Sequence, residues 1–146
     1  MQLHPDLRDL LVEFGKQRVE YLLVGGYAVA VHAIPRFTKD LDLWIRNTPE
    51  NLDSVARALT AFGAPANVIS QLHTAPEMDV LWFGAVPNHI DLLKAVPGGT
   101  FATMFASSVE VKIDGVKIRV VCKSDLRTLK LASGRPQDLV DAKNLE

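Results

Sequence analysis

Residues 24 to 45 read VGGYAVAVHAIPRFTKDLDLWI, a stretch that begins with a glycine pair after an apolar run and ends with two aspartates separated by one leucine. The alternation over Lys39–Ile45 predicts a strand on which Asp40 and Asp42 point to one face and the apolar residues to the other. Two like charges on one face are unfavourable unless a cation lies between them, and carboxylate oxygens are ligands that suit Mg²⁺. The pair therefore indicates a candidate metal site.

A third carboxylate occurs in HIDLL, where Asp91 lies between Ile90 and Leu92 in another strand-like run. An acid flanked by apolar residues is costly to bury without a partner. If this strand lies beside that of Asp40 and Asp42, about 4.8 Å away, the three side chains form a pocket for one or two Mg²⁺ ions. Such a pocket serves phosphoryl and nucleotidyl transfer, because the metal activates the attacking oxygen and neutralises charge on the leaving pyrophosphate.

The glycine pair Gly25-Gly26 lies between a predicted strand and a predicted helix. Glycine lets a backbone approach a phosphate closely, and the amide groups of a helix N-terminus bind anions. A glycine pair is also common at purely structural turns, and a polar strand face is often only solvated. The combination of strand, glycine pair, helix, Arg-x-Thr-x-Asp-x-Asp and a later aspartate is much more specific than any one of these parts.

The composition is that of an ordinary soluble globular protein. The chain has 146 residues, of which 48% are hydrophobic and 23% charged, and its net charge is -1. These values predict one domain over residues 1–146 without general attraction to nucleic acid or to an anionic membrane. Its apolar runs fall far short of the roughly 18 residues of a membrane span, and residues 1–20 lack a signal-peptide core, so a cytoplasmic location is expected.

Cysteine usage and the distribution of basic residues limit the possible functions further. A single cysteine, Cys122, excludes an internal disulfide framework and a multi-cysteine metal cluster. Between Val111 and Arg135 there are seven basic residues against two acids. This excess either contacts phosphates or forms a solvated hairpin and helix face. The sequence contains no phosphate-loop, dinucleotide-binding, zinc-protease or serine-hydrolase motif.

Hydrophobic periodicity and turn signals predict several helices and strands along the chain. Helices are expected from Pro5, over Tyr27–His32, from Pro49 to Gly63, from a Ser124 cap to Gly134, and from Pro136 almost to Glu146. Strands are expected at Tyr21–Val24, Lys39–Ile45, Met78–Phe83 and Asn88–Leu93, and at Val109–Ile113 and Val116–Cys122 around the hairpin signal Asp114-Gly115. Residues 64–77 are expected to be a loop.

The glycine pair, RFTKDLDLWI and HIDLL together resemble the signature of the DNA polymerase beta nucleotidyltransferase superfamily. Residues 20 to 146, which close with GRPQDLVDAKNLE, are similar to a small bacterial branch of it, related to abortive-infection and type IV toxin nucleotidyltransferases. The resemblance implies an α+β nucleotidyltransferase fold, with a central mixed β-sheet flanked by helices and a C-terminal hairpin and two helices. It also implies an NTP substrate and Mg²⁺.

The resemblance assigns roles to single residues. The implied metal ligands and catalytic residues are Asp40, Asp42 and Asp91, the last of which also helps to activate the acceptor hydroxyl. The implied nucleotide and phosphate contacts are Gly25, Gly26, Arg36, Thr38 and Lys130. A solvated helix lysine remains the alternative for Lys130. Asp138 and Asp141 share one helix face and are expected to pair with Arg135 or Lys130.

The leading hypothesis is an Mg²⁺-dependent nucleotidyltransferase that moves an NMP from an NTP such as ATP to a hydroxyl group on RNA or tRNA, on a protein or on a small molecule. A toxin-antitoxin or phage-defence setting fits the resemblance. Two alternatives remain open, a noncatalytic or antitoxin-like binding module and an antibiotic nucleotidyltransferase. A hairpin and two helices are too little for an acceptor domain of about 50 residues, so the acceptor is expected to be held by the basic hairpin and last helices, a second subunit or a partner protein.

Overall fold

The computed structural model describes residues 3–34, 38, 40–84 and 88–146. In chain order, its elements are α1 (Pro5–Lys16), β1 (Tyr21–Val24), α2 (Gly25–His32), β2 (Asp40–Ile45), α3 (Pro49–Phe62), α4 (Ala66–Gln71), β3 (Val80–Phe83), β4 (His89–Leu93), α5 (Phe101–Ala106), β5 (Val109–Ile113), β6 (Val116–Val120), α6 (Lys123–Ser133) and α7 (Pro136–Asn144). The expected α+β fold, with a mixed sheet, a late hairpin and two final helices, is confirmed.

Within these residues the strands form a six-stranded mixed sheet in the order β3-β4-β2-β1-β6-β5. The two edges are hairpins, because β3 pairs with β4 and β5 pairs with β6 in antiparallel fashion. In the centre, β2 runs antiparallel to β1 and parallel to β4. The two aspartate-bearing strands β2 and β4 are therefore direct neighbours, as the sequence predicted.

The two faces of the sheet have different coverings. On one face α1 packs through Phe14 against Tyr21, with ring centroids 5.4 Å apart. On the same face α3 packs through Phe62 against Phe83 at 6.0 Å. The other face carries Trp44, which is covered by Phe101 of α5 at 5.6 Å. That second face is the one on which the aspartates of β2 and β4 lie.

Local sequence signals explain most of the helix ends. The Thr48 hydroxyl accepts a hydrogen bond from the Asn51 amide at the start of α3, and Gly63 ends the same helix in the left-handed conformation. The predicted cap of α6 is wrong, because that helix begins at Lys123. Cys122 takes the N-cap position, so Ser124 lies within the first turn.

Two short helices were not predicted. Residues 64–77 are not simply a loop, because α4 forms after Pro65 and buries Val68. The buried Lys94 ammonium then donates to the backbone carbonyls of Leu72 and Ala75 beyond this helix, at 3.0 and 2.7 Å. Helix α5, which buries Phe101, was also missed. Each has six residues, which is too short to show a helical period clearly.

Strand ends shift slightly from the prediction. The strand β3 begins at Val80 rather than Met78, and β6 ends at Val120 rather than Cys122. Helix α2 begins two residues earlier than expected, at Gly25. The predicted first residue of β2, Lys39, lies outside the described residues. In the part of the chain that is described, no helix is long and apolar enough to cross a membrane.

Asn51 ties three elements together near the end of β2. Its side-chain oxygen accepts from the Glu20 amide at 2.8 Å, and its side-chain nitrogen donates to the carbonyls of Glu20 and Arg46 at 2.9 Å each. The residue is 6% exposed. One side chain at the start of α3 thus satisfies backbone groups before β1 and after β2.

Replacing Asn51 by alanine is expected to lower the free energy of unfolding by about 2 kcal/mol or more, because buried backbone groups lose their partners. Urea denaturation of both proteins measures the loss. Ser54→Ala is the matched control, since Ser54 lies on the same helix and its hydroxyl is in a solvent-exposed hydrogen bond, although the residue is half-buried, and it is expected to change stability by less than about 0.5 kcal/mol. Equal effects of the two substitutions would contradict the assigned role of Asn51.

Candidate functional site

Two carboxylates face each other at the centre of the sheet. The parallel register of β2 and β4 places Asp42 directly opposite Asp91 and Asp40 opposite His89. Asp42 and Asp91 are half-buried, whereas Asp40 is exposed at the start of its strand. Because residues opposite each other in adjacent strands share a face, the three acids lie on one side of the sheet. The structure thus places Asp91 opposite Asp42, whereas the expected pocket of three carboxylates is not formed among the described residues, because Asp40 lies one pair further along, opposite His89.

The close pair cannot carry two full negative charges without cost. Burial and the hydrogen bond with Asp91 raise the pKa of Asp42 to about 8. Burial is also the main cause that raises the pKa of Asp91. When two carboxylates share a desolvated site, one proton is held between them unless a cation neutralises the charge. The pair is therefore a place where a cation would be strongly favoured at neutral pH.

Gly25 makes room for the carboxylate of Asp42. Its φ of +70° lies in the left-handed region, and a Cβ atom at this position would overlap the Asp42 carboxyl group. Gly26 follows as a buried residue in the first turn of α2. The sequence predicted that this glycine pair lets the backbone approach a phosphate. The structure adds a local reason for the first glycine, which is contact with the aspartate itself.

The other side of Asp42 is lined by charged side chains from α6 and α7. The Lys130 ammonium contacts the carboxylates of Asp138 at 3.0 Å and Asp141 at 3.1 Å, and all three residues are buried. The Arg135 guanidinium donates to Asp138 at 2.7 Å but leaves 78% of its side chain exposed. The pairing of these two acids with Lys130 was expected from their spacing. Lys130 is therefore neither a solvated lysine nor an unpaired one.

Asp138 is the centre of this charged group. Burial by itself raises its pKa, but hydrogen bonds from Ser133, Arg135 and Lys130 outweigh burial and lower the pKa to about 2. Asp138 therefore stays ionised at neutral pH and fixes the end of α6 against the start of α7. The sequence did not identify Arg135 as a site residue, because its local signals, a basic stretch and nearby acids, predict only an ion pair.

A cavity of about 110 Å³ lies between Asp42 and this charged group. Its polar lining comes from Gly25, Asp42, Lys130, Ser133, Arg135 and Asp138, and its apolar lining includes Val24, Leu93 and Leu129. The cavity thus combines two carboxylates, a glycine backbone, a hydroxyl group and two cationic side chains. Such a set suits a phosphate group that is bound together with a divalent cation.

An aromatic side chain lies on the opposite flank of the carboxylate pair. Trp82 of β3 is paired with Asp91 in the antiparallel register. Its ring stacks on the His89 ring, with centroids 4.7 Å apart and an angle of 12° between the planes. The sequence did not identify Trp82 as a site residue. Its local signal was the alternation of VLWF in the predicted hairpin with HIDLL.

The structure brings most of the predicted site residues to one end of the sheet. Gly25, Asp42 and Lys130 border the cavity, and Asp91 faces Asp42. The Thr38 hydroxyl lies 3.4 Å from the Asp40 carbonyl oxygen, so its position before the strand is shown but a phosphate contact is not. Arg36 lies outside the described residues.

The carboxylate pair fits the ligand chemistry of Mg²⁺. Among residues 3–34, 38, 40–84 and 88–146, no three or more histidine, cysteine, aspartate or glutamate side chains are grouped closely enough to hold a metal ion. The facing acids are two, Asp42 and Asp91, and Asp40 remains a predicted ligand. Mg²⁺ is usually bound by one or two carboxylates together with substrate phosphates and water, so a facing pair is a sufficient protein contribution.

Comparison with protein families identifies the type of domain that carries this site. A family model described as "Nucleotidyltransferase of unknown function (DUF6036)" matches residues 2–146. No curated protein matches the chain. The predicted relation to abortive-infection and toxin proteins remains a prediction.

Solved structures show the same fold. The chain is similar to the lincosamide antibiotic adenylyltransferase LnuA with lincomycin bound, with a TM-score of 0.63 and 21% identity over 99% of this chain and 96% of that one. It is also similar to ANT(2'')-Ia in complex with adenylyl-2''-tobramycin, with a TM-score of 0.51 and 11% identity over 95% and 84% of the two chains. At such identities the likeness shows a nucleotidyltransferase fold and leaves the substrate open.

Replacing Gly25 by alanine is expected to destabilise the protein by about 2 kcal/mol or more, because alanine is strained at a left-handed φ and its Cβ displaces Asp42. Gly15→Ala is the matched control. Gly15 lies in α1 with no atom within 4 Å of an added Cβ, so alanine there is expected to stabilise by up to about 1 kcal/mol. Urea denaturation measures both effects, and a loss at Gly15 as large as that at Gly25 would contradict the steric argument.

The depressed pKa of Asp138 predicts acid sensitivity. Because the pKa is lower in the folded state, the stabilising contribution of Asp138 is complete well above its ordinary pKa near 4 and disappears as the pH falls towards 2. The unfolding free energy of the unmutated protein is expected to exceed that of Asp138→Asn by about 2 kcal/mol at neutral pH. Guanidinium denaturation from pH 7 to pH 2.5 should show this difference shrinking. A difference that does not change with pH would exclude this charged role.

Proposed function

This chain belongs to the DUF6036 family of nucleotidyltransferases, and on that premise we propose that it transfers an NMP from an NTP to a hydroxyl group with the help of Mg²⁺, using Asp40, Asp42 and Asp91. The observation that carries the proposal is the facing pair Asp42 and Asp91 beside a small cavity that is also lined by Lys130 and the largely exposed Arg135. A buried pair of acids is costly in a structural role, because it destabilises the fold unless a cation or proton is bound.

The residues around the cavity have separate tasks in this proposal. Asp42 and Asp91 would hold the metal with Asp40, and the bound metal would neutralise charge on the phosphates. Gly25 leaves the space in which the carboxylate and a phosphate come close together. Arg135, whose side chain is largely exposed at the cavity, would contact the leaving pyrophosphate, whereas Lys130 stays paired with Asp138 and Asp141.

Asp91 is the proposed acceptor of the hydroxyl proton. The acceptor oxygen forms a bond to the α-phosphorus, the bond from that phosphorus to the bridging oxygen breaks, and pyrophosphate leaves. The proton of the hydroxyl passes to the Asp91 carboxylate. Its position is suitable because Asp91 faces Asp42 from β4, whereas Gly25, which lines the cavity, follows β1 on the other side of Asp42.

The alternatives have less support. A noncatalytic binding module has no need for two facing half-buried acids. An antibiotic as acceptor is compatible with the two structural neighbours, but at sequence identities of 21% and 11% the similarity supports only a shared fold. The toxin-antitoxin or phage-defence setting rests on the sequence resemblance alone, and so does the specific use of ATP. RNA, protein and small molecules all remain acceptors that fit the proposed transfer.

Transfer of label from each of the four α-labelled NTPs tests the proposal, with Mg²⁺ and a bacterial lysate as the source of acceptors. Asp42→Asn and Asp91→Asn are each expected to lower the rate by about 100-fold or more, because a metal ligand or the base is lost. Asp9→Asn is the matched control, since Asp9 is exposed on α1, and it is expected to transfer normally. Chelation of Mg²⁺ should stop transfer by the unmutated protein.

The neutral amide of Asp42→Asn resembles the protonated carboxyl group that a pKa of about 8 favours at neutral pH, so this variant is expected to fold about as stably as the metal-free unmutated protein. A melting curve of each variant checks this. Undiminished transfer by a folded Asp42→Asn protein would refute the assigned site. Absence of transfer by the unmutated protein with all four NTPs would instead favour the binding module.

A further inference from the structure

The edge of the sheet beside the carboxylate pair carries an exposed aromatic surface. Trp82 of β3 is 56% exposed. Its ring stacks on His89 with the planes 12° apart, which holds the indole in one orientation. We refer to Trp82 and His89 as the aromatic platform. It lies on the same face of the sheet as Asp91, because Trp82 and Asp91 are paired in the register.

The aromatic platform and the cavity flank the carboxylate pair on opposite sides. Across this face of the sheet the register gives the order Trp82, Asp91, Asp42 and Val24. Gly25 follows Val24 and lines the cavity together with Lys130 and Arg135. The cationic groups are thus beside Asp42, whereas the aromatic platform is beside Asp91.

This arrangement determines the side from which an acceptor approaches. In nucleotidyl transfer the attacking and leaving oxygens lie roughly in line through the phosphorus. With the triphosphate on the cationic side, the acceptor hydroxyl comes from the side of Asp91 and passes over Trp82. We propose that the aromatic platform binds the acceptor, and that this acceptor is a small hydroxylated molecule with a flat ring or apolar face and no net negative charge.

Charge supports a small non-anionic acceptor over a nucleic acid. The strands β2, β3 and β4 contain no lysine or arginine, and the turn before β3 supplies the acids Glu77 and Asp79. Nucleic acid binding depends on lysine and arginine contacts to phosphates. The basic residues of the β5-β6 hairpin lie at the opposite edge of the sheet from β3. A polyanion bound at the aromatic platform would therefore lie beside carboxylates and not beside lysine or arginine side chains.

The apolar surface extends beyond the platform. Met78 is 62% exposed and Val80 47% exposed, and both precede Trp82 on the same edge. Val80 is paired with Leu93, which lines the cavity. Apolar surface thus continues from the exposed edge across β4 to the wall of the cavity. Stacking on an indole ring gives affinity for a flat ring without requiring a charge.

The inference rests on the proposed function, so its test separates the two. The full chain is incubated with Mg²⁺, the α-labelled NTP that it uses, and either the dialysable or the retained fraction of a bacterial lysate. The variants are Trp82→Ala, the conservative Trp82→Phe, and Val109→Ala as a matched control. Val109 is an exposed apolar residue on β5, at the other edge of the sheet.

The expected result is label on a molecule of the dialysable fraction. For Trp82→Ala, the concentration of this fraction that gives half-maximal transfer should rise by about ten-fold, with an unchanged maximal rate. Trp82→Phe should recover most of the affinity, and Val109→Ala should behave as the unmutated protein. Calorimetric titration of each variant with the NTP and Mg²⁺ should give the same dissociation constant within about two-fold.

Four results would overturn the inference. Label on RNA or protein in the retained fraction would exclude the small acceptor. Equal half-maximal concentrations for Trp82→Ala and Val109→Ala would exclude the aromatic platform. Weaker NTP binding by a folded Trp82→Ala protein would place the nucleobase, and not the acceptor, on the indole. Absence of label in both fractions with the unmutated protein would count first against the proposed transfer and would remove the basis of the inference with it.

Discussion

The arrangement of the site depends on two half-buried carboxylates that neighbouring parallel strands hold face to face. Asp42 and Asp91 are fixed by backbone pairing, so they cannot separate to relieve their repulsion. Burial and their mutual contact therefore raise the pKa of Asp42 to about 8. Hydrophobic packing of the opposite sheet face against α1 and α3 stabilises the strands enough to maintain this unfavourable contact. Unfavourable arrangements of this kind persist where the surrounding structure over-determines them and are characteristic of functional sites.

The neighbourhood of the pair follows from this constraint. Gly25 can only be glycine, because a Cβ atom would overlap the carboxyl group that β2 holds in place. On the far side, Lys130 lowers the pKa of Asp42 but is itself neutralised by Asp138 and Asp141. The protein thus neutralises only part of the negative charge of Asp42 and Asp91. A divalent cation that binds together with a nucleotide would neutralise the rest of this charge. Cation binding and substrate binding are therefore coupled at one site.

Short-range sequence patterns predicted the strands and the positions of the main acids well. Alternation along DLDLWI and HIDLL gives a polar and an apolar face for each strand, and their common apolar flanks predict central positions in the sheet. Helices α4 and α5 were missed because their six residues each contain few buried side chains, and contact with other elements stabilises them. Trp82 and Arg135 were missed for another reason. Their relation to the acids depends on strand order and on how α7 packs, and neither is encoded in local spacing.

The charged group at the end of α6 shows why residue type alone does not assign a phosphate contact. Lys130 was the predicted contact, but it is buried and already shared by two carboxylates. Moving its ammonium to a phosphate would leave Asp138 and Asp141 without that partner, which is costly in a buried place. Arg135 has one carboxylate partner and a largely exposed side chain. If it turned to a phosphate, Asp138 would still accept from Lys130 and Ser133. Arg135 is therefore better suited to direct contact with a phosphate, and Lys130 to fixing α7 and supplying positive potential near Asp42.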